Sequence, residues 1–298
     1  MAQVENKHRA PKTLIRLASS KTYDAGNSDY TATSLIEEPR IRVLSKRHGS
    51  KVVKDPYENP WSYISLSLHK MGEVAASDSE DQIAEQRIFT EIDGKIISGA
   101  MDLQTISIDE DFGKEVIIGD YKLTTVYAIK DTIKWEQQLN IYSWLVERND
   151  PGSRVKGLEV YAFLRDWKIS QSETQRNYPK RPGLTIDLPL WPYEDRERFV
   201  RDRIALHESA NNTLPECSHE GRWPIAENFK IVKTPSTRAI TGHSKFKSME
   251  SAEEARLNLE NPEAHKVVHS FSGYRRCQSY CDVSPWCEQW KEWREGNG

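Results

Sequence analysis

Apolar residues alternate with polar ones in the middle of the chain, and this pattern predicts strands. Two segments rich in β-branched and aromatic residues, 87–92 and 95–102, flank Asp93-Gly94, a dipeptide typical of two-residue hairpin turns. A third apolar run, 115–122, becomes charged only at its end. We predict three strands here, with the second ending at Asp102 and a polar loop over 106–114.

Helical periodicity appears on both sides of these strands. Apolar residues recur at spacings of three and four from Pro60 (Trp61, Ile64, Leu68, Met71) and again from Thr132 (Trp135, Leu139, Tyr142). Further along, the pattern predicts strands over 158–164 and 185–188 and charged helices over 193–209 and 248–260. We therefore predict an α/β fold with a mixed central sheet flanked by helices.

Length and composition suggest one large domain with additions at each end. In a chain of 298 residues, residues 1–33 are polar and aperiodic, so we expect a flexible N-terminal arm. Residues 34–210 form the predicted core, and 211–298 form a separate cysteine-containing region. No apolar run approaches the roughly 20 residues of a membrane span, and no signal peptide is evident, so we expect no membrane association and a cytoplasmic protein. With a net charge of −3, any nucleic-acid binding must depend on a local basic groove.

The charged ends of two predicted strands suggest metal-assisted phosphate chemistry. Asp102 ends one strand, and Asp120 and Lys122 project from the same side of the next because residues i and i+2 share a face. Carboxylates from adjacent strands could hold Mg²⁺ or Mn²⁺, which activates water and neutralises phosphate charge. The lysine could steady the negative charge of the transition state. An isolated Asp-x-Lys pair can also be only a solvated ion pair at a strand end.

Three motifs occur in a distinctive order: Gly99-Ala-Met-Asp102, Gly119-Asp120-Tyr-Lys122 and Gln138-x-x-x-Tyr142. This order resembles the PD-(D/E)XK nuclease superfamily, specifically its RecB-like exonuclease branch with CRISPR-associated and phage-encoded members. The resemblance implies four metal ligands, which are His69, Asp102, Asp120 and the backbone carbonyl of Tyr121. It also implies Lys122 as the catalytic lysine, and Gln138 with Tyr142 as residues that orient the substrate. Glu85 and Glu91 lie nearby in the sequence, but we do not expect either to reach the metal.

All four cysteines fall in the last third of the chain: Cys217, Cys277, Cys281 and Cys287. Such clustering in a cytoplasmic protein suggests metal ligation rather than disulfides. Four thiolates can hold Zn²⁺ or an iron–sulfur cluster, and unligated thiols remain the third alternative. The arrangement resembles the four-iron four-sulfur clasp of RecB-like nucleases, which implies a structural 4Fe-4S cluster.

The expected function is therefore a Mg²⁺- or Mn²⁺-dependent DNA exonuclease in a prokaryotic cell or a phage-infected host. Its substrate would be DNA that is single-stranded or has free ends, with a helicase or a recombination protein as a possible partner. Two alternatives stay open. The protein could be a non-catalytic nucleic-acid-binding accessory of recombination or replication that uses the nuclease fold as a scaffold, or a metal-stabilised protein with no nucleic-acid role.

Overall fold

The structure is a computed structural model, and it describes residues 3–19, 25–225, 228–270 and 273–297. The chain divides into two compact units, Met1–Pro215 and Glu216–Gly298, and each is described by itself. Within the described ranges, no helix combines the length and the apolarity that a membrane span requires.

The first unit contains both helices and strands. The described strands are β1 (Gln3–Val4), β2 (Tyr30–Thr31), β3 (Val53–Lys54), β4 (Gln82–Ile92), β5 (Lys95–Asp109), β6 (Gly113–Thr124), β7 (Ser153–Leu164) and β8 (Gly183–Leu188). The described α-helices are α1 (Lys12–Ser19), α2 (Ala32–Leu35), α3 (Pro39–His48), α4 (Pro60–Ala76), α5 (Ile133–Asn149), α6 (Ile169–Thr174) and α7 (Tyr193–Asn212).

A mixed six-stranded sheet lies at the centre of this unit. Its strand order is β2-β5-β6-β7-β8, with β4 paired to β5 as well. The β4–β5, β5–β6 and β7–β8 pairs are antiparallel, whereas β2–β5 and β6–β7 are parallel. The predicted mixed α/β architecture, with a central mixed sheet flanked by helices, is confirmed.

Strand β5 has an interruption along one of its edges. Strand β4 pairs with β5 along the other edge, from Lys95 to Thr105, so β2 and β6 share this one. β2 pairs with Ile97 and Ser98, and β6 pairs with 103–109. Residues 99–102 lie between these two partners, which puts Asp102 at the point where β5 and β6 separate.

The core of the first unit is built around α5 and the sheet. Trp144, Leu139 and Leu145 are each fully buried, as are Ile118 on β6 and Val160 on β7. Burial of a large apolar side chain stabilises the fold by roughly 1.5–3 kcal/mol. This packing fixes α5 against the strands that carry the acidic motifs.

The N-terminal segment differs from the predicted arm. Tyr30 lies on a strand of the central sheet and is only 1% exposed. Its hydroxyl donates a hydrogen bond to Glu208, and the guanidinium of Arg42 lies 4.2 Å from its ring centroid. One aromatic residue in a polar stretch produces no periodic signal, so the sequence pattern could not reveal these tertiary contacts. Residues 1–2 and 20–24 lie outside the described part.

The prediction that the second strand ends at Asp102 is wrong. β5 continues to Asp109, and Ile106 and Ile108 pair with Val116 and Lys114 of β6. The connection is a short turn in which the Asp109 carboxylate accepts hydrogen bonds from the backbone N–H groups of residues 111 and 112. Much of the predicted loop is therefore strand.

The helix predicted from Pro60 is present as α4, but its apolar stripe faces solvent. Trp61 is 45% exposed and Met71 is 69% exposed. The helix approaches the sheet through small residues instead: Ala76 is buried, and a Cβ atom added to Gly72 would lie 2.7 Å from the Tyr121 ring. Gly72 and His69 are three residues apart and lie on the same side of α4, so the close approach of Gly72 also brings His69 towards the strands.

The second unit contains a two-stranded antiparallel sheet and two described α-helices. The strands are β9 (Asn228–Lys233) and β10 (His265–Ser270). The helices are α8 (Met249–Leu257), capped by the Ser248 side chain, and α9 (Glu288–Asn297). A short π-helix, Arg276–Tyr280, and a 3₁₀ turn, Ser284–Trp286, precede α9.

Candidate functional site

Asp102 and Asp120 stand at facing positions where β5 and β6 separate. The last ladder pair before the separation is Leu103 with Gly119, and the next pair along the strands would be Asp102 with Asp120. Asp102 is 7% exposed and Asp120 is 1% exposed. The backbone N–H of Tyr121 donates a 2.8 Å hydrogen bond to Asp102 Oδ2. The carboxylate thus satisfies a backbone donor that the separated ladder leaves without a strand partner.

His69 reaches this point from α4. Its Nδ1 lies 3.2 Å from Asp102 Oδ1 and 3.5 Å from Glu85 Oε1. One ligand atom from each of the three residues fits within a span of 4.8 Å, so these side chains could hold one metal ion. Glu85, which we did not expect to take part in metal binding, thus lies within the candidate donor group.

Glu85 occupies its position because of the β4–β5 register. Ala84 pairs with Leu103 and Gln86 with Met101, so Glu85 stands opposite Asp102. Glu85 also has a φ of +50°, a left-handed backbone conformation that non-glycine residues seldom adopt. The register follows from the Asp93-Gly94 hairpin, so this part of the site could have been found from the sequence.

The pKa values of His69 and Asp120 are both raised, but for different physical reasons. Hydrogen bonding to Asp102, and secondly to Glu85, raises the pKa of His69 to about 10. In the metal-free protein the imidazole therefore carries a positive charge between two carboxylates. Burial raises the pKa of Asp120 to about 6, against the opposing effect of Lys122. Three carboxylates thus face two cationic side chains, His69 and Lys122.

Lys122 links the strand to α5. Its Nζ lies 2.5 Å from Asp120 Oδ2 and donates a long, 3.5 Å hydrogen bond to Gln138 Oε1. Gln138 Nε2 in turn donates to the Tyr142 hydroxyl at 2.7 Å. These four side chains form a continuous polar chain from the buried acid to the helix, and they include the Asp-x-Lys and Gln-x-x-x-Tyr motifs.

Gly99 allows α5 to lie close to β5. A Cβ atom at this position would lie 2.7 Å from Tyr142 Cδ1 and 2.8 Å from Leu145 Cδ1. Both neighbours are buried side chains. The glycine of the Gly-x-x-Asp motif therefore has a packing role that also positions Tyr142.

Two groups of predicted residues are thus assembled in the first unit. His69 and Asp102 form one group together with Glu85, while Asp120, Lys122, Gln138 and Tyr142 form the other. Asp120 is adjacent to the three-donor group but is not part of it, and its Oδ2 is in an ion pair with Lys122. Tyr121 contributes its backbone at the point where the two groups meet.

The cysteines all lie in the described part of the second unit, and none forms a disulfide. Cys277 is in the π-helix, Cys281 follows it, and Cys287 immediately precedes α9. Burial raises the pKa of the Cys277 and Cys281 thiols, and Cys287 contributes electrostatically to both. In these described positions no three thiol sulfurs lie within 4.8 Å of one another.

Arg222 is the unusual neighbour of these cysteines. Its side chain is 8% exposed, hydrogen-bonds the Cys277 side chain and stacks over Tyr274 at 3.5 Å. Its Nε and Nη2 atoms are buried without a hydrogen-bond partner, and no carboxylate of the described residues pairs with it. A buried guanidinium without a counter-charge is costly, so the position suggests a nearby anion.

Comparison with known proteins identifies no family for this chain. The sequence matches no known protein family, and no curated protein is similar to it. Among solved structures, the crystal structure of the protein SSO0001 has a TM-score of 0.40 and 18% sequence identity, over 65% of this chain and 83% of that chain.

Proposed function

We propose that this protein is a metal-dependent deoxyribonuclease with a PD-(D/E)XK core, similar to the RecB-like exonucleases. Its substrate would be DNA that is single-stranded or has free ends. The observation that supports the proposal is the group of donors His69, Glu85 and Asp102 beside the buried Asp120–Lys122 pair. The order of the three sequence motifs supports the same interpretation.

The donor set suits a hard divalent cation. Two carboxylates and an imidazole offer oxygen and nitrogen ligands, and a third carboxylate, Asp120, lies next to them. In the metal-free protein the protonated ring of His69 supplies the positive charge between the carboxylates. Mg²⁺ or Mn²⁺ could take the place of that proton, and the metal would supply charge neutralisation and water activation for phosphodiester hydrolysis.

Lys122 and its neighbours have distinct roles in this proposal. The ammonium of Lys122 is the cation nearest to the buried acids and can donate hydrogen bonds to a phosphate oxygen as negative charge develops. Gln138 holds Lys122 through its amide oxygen, and Tyr142 holds Gln138. The positions of these side chains are therefore coupled along α5, and a change at Tyr142 should affect Lys122.

We further propose that the four cysteines hold a structural metal centre. Four thiolates around Zn²⁺, or around a 4Fe-4S cluster, make an anionic group, and Arg222 is the buried cation that this group would neutralise. The resemblance to the cysteine clasp of RecB-like nucleases favours the iron–sulfur cluster, and structural Zn²⁺ is the alternative.

Cleavage of end-labelled DNA tests the nuclease proposal directly. Protein purified without oxygen is incubated with single- and double-stranded DNA, linear and circular, in Mn²⁺ or in EDTA. We expect Mn²⁺-dependent degradation of the linear substrates and none of circular double-stranded DNA, which has neither a free end nor a single-stranded region. Lys122→Met should abolish it, whereas Lys130→Met, at an exposed lysine of the same unit, should retain it.

Two results would overturn the proposal. Binding of DNA without cleavage by the wild-type protein in Mn²⁺ would indicate an accessory protein. Full activity of the Lys122→Met variant would show that the ion pair of the Asp-x-Lys motif has only a structural role.

A further inference from the structure

Gln289 joins two distant cysteine-bearing segments within the second unit. It is the second residue of α9 and is only 8% exposed. Its Oε1 accepts a 2.9 Å hydrogen bond from the backbone N–H of Cys217, and its Nε2 donates a 3.0 Å hydrogen bond to the Cys217 carbonyl. One side-chain amide thus binds both backbone polar groups of a residue 72 positions away in the sequence.

The backbone around Gln289 is itself ordered by hydrogen bonds at the start of α9. Cys287 lies two residues earlier, and its carbonyl accepts hydrogen bonds from the N–H groups of Trp290 and Lys291 at 3.2 Å and 3.0 Å. Cys287 and Gln289 therefore belong to one rigid turn at the start of α9. Through this turn, Gln289 fixes the backbone of Cys217 relative to Cys287.

Cys217 needs such a contact because its own segment is irregular. It lies after the end of α7 at Asn212 and before the short 3₁₀ turn Glu220–Arg222, outside every described helix and strand. A metal ligand on an irregular segment has to be ordered by something else before it can bind efficiently. A glutamine suits this task since its amide presents an acceptor and a donor side by side.

We propose that Gln289 is the positioning residue that brings Cys217 into a common metal centre with Cys277, Cys281 and Cys287. This inference rests on the four-cysteine centre proposed above and is independent of nuclease activity. Gln289 does not bind the metal itself. Its role is to keep the remote fourth thiol next to the three thiols that are close together in the sequence.

Thiol alkylation measures this role at each cysteine separately. Protein purified without oxygen, with its bound iron or zinc, is treated with iodoacetamide, and mass spectrometry gives the modification rate at every cysteine. In the wild-type protein all four should be protected, and a chelator should release all four. Gln289→Met preserves the side-chain volume but removes both hydrogen bonds to Cys217, together with a long, 3.5 Å hydrogen bond from Nε2 to Glu216 Oε2.

In the Gln289→Met protein we expect Cys217 alone to become reactive, at a rate roughly 10- to 100-fold above wild type, while the other three cysteines stay protected. The estimate takes a factor of up to ten for each hydrogen bond lost. Glu288→Gln is the matched control, because Glu288 is on the same turn but its side chain is 62% exposed and forms an ion pair with Lys291. This control should leave all four cysteines protected.

Three outcomes would overturn the inference, and they are distinguishable. Continued protection of Cys217 in Gln289→Met would show that the contact is not needed. Reactivity of all four cysteines in that variant would show a general structural role instead of a selective one. Reactivity of all four in metal-loaded wild type would refute the metal centre itself.

A measurement on the wild-type protein covers the case in which Gln289→Met does not fold. The Cys217 amide donates to Gln289, so its hydrogen exchange should be slow in the metal-loaded protein and faster after chelation. Exchange at the rate of an open loop in the metal-loaded protein would also overturn the inference.

Discussion

Asp120→Asn should stabilise the metal-free protein, because the buried carboxylate carries an energetic cost. Burial raises the pKa of Asp120 from 3.8 to about 6, a difference of about 2 pH units, and each unit corresponds to about 1.4 kcal/mol. The ionised side chain therefore destabilises the folded protein by about 3 kcal/mol at pH 7.5. The favourable contact with Lys122 is already included in this figure.

The sign follows from the direction of the pKa shift. An acid whose pKa is raised by folding binds its proton more tightly in the folded state, so the cost is absent below pH 3.8, the unfolded value, and complete above about pH 6. Asparagine removes the charge but leaves a buried amide, which costs about 1–2 kcal/mol if its hydrogen bonds are poor. We expect a net gain of about 1–2 kcal/mol at pH 7.5 and no gain at pH 4.

Urea unfolding in EDTA at the two pH values measures this difference. Lys122→Met serves as the opposite perturbation: it leaves Asp120 buried without its 2.5 Å partner and should destabilise the protein. Asp109→Asn is the matched control, because hydrogen bonds from residues 112 and 111 lower the pKa of this turn residue. Asp109 is half-buried, but its carboxylate is stabilised by these hydrogen bonds, so that variant should give no stabilisation at pH 7.5.

The reasoning fails if Asp120→Asn is destabilised equally at both pH values. Such a result would mean that Asp120 is a structural partner of Lys122 and that its burial carries no net cost. If the gain appears, Mn²⁺ should raise the melting temperature of the wild-type protein more than that of the variant, because binding of a ligand to the folded state alone increases stability. The cost of burying Asp120 would then be explained by metal binding.

Three further perturbations test separate parts of the structure. Glu85→Gln should weaken Mn²⁺ binding roughly 10- to 100-fold by calorimetry, whereas an unchanged affinity would remove Glu85 from the site. Gly99→Ala should lower the free energy of unfolding by about 1–3 kcal/mol, since its Cβ would meet buried side chains of α5. Gly49→Ala is the control because there is open space around Gly49. Equal effects of the two substitutions would contradict the packing argument. Burial lowers the pKa of His207 to about 4, so the contribution of His207 to the free energy of unfolding should fall by about 2 kcal/mol between pH 7.5 and pH 5. Relative to wild type, His207→Gln should lack this component of the urea-unfolding pH dependence, and an identical pH dependence of the two proteins would refute it.

Local periodicity correctly predicted those elements whose periodic apolar residues are buried in the structure. Helix α5 begins at Ile133 after Thr132, and its residues Leu139 and Leu145 are buried as their spacing predicts. The four-residue separation of Gln138 and Tyr142 places them one turn apart, and their side chains are hydrogen-bonded. The same reasoning placed Asp120 and Lys122 on one side of β6, where they form an ion pair.

Features that depend on tertiary contacts could not be predicted in this way. The stripe of Trp61, Ile64 and Met71 has helical spacing, yet these residues are exposed because α4 approaches the sheet through Gly72 and Ala76. Periodicity identifies an amphipathic helix but does not show which face a sheet will cover. Glycine and alanine add little to a hydrophobic stripe, so the face that packs was not visible in the pattern.

The Asp93-Gly94 turn sets the register of β4 against β5 and thereby the position of Glu85. Asp93 and Gly94 have φ values of +51° and +70°, as a type I′ turn requires, and this turn pairs Ile92 with Lys95. Continuing along both strands from that pair places Glu85 opposite Asp102. A slip of one residue would send one of the two carboxylates to the other face of the sheet. The left-handed backbone at Glu85 costs of order 1–3 kcal/mol, and its persistence is understandable if the carboxylate is needed beside His69 and Asp102.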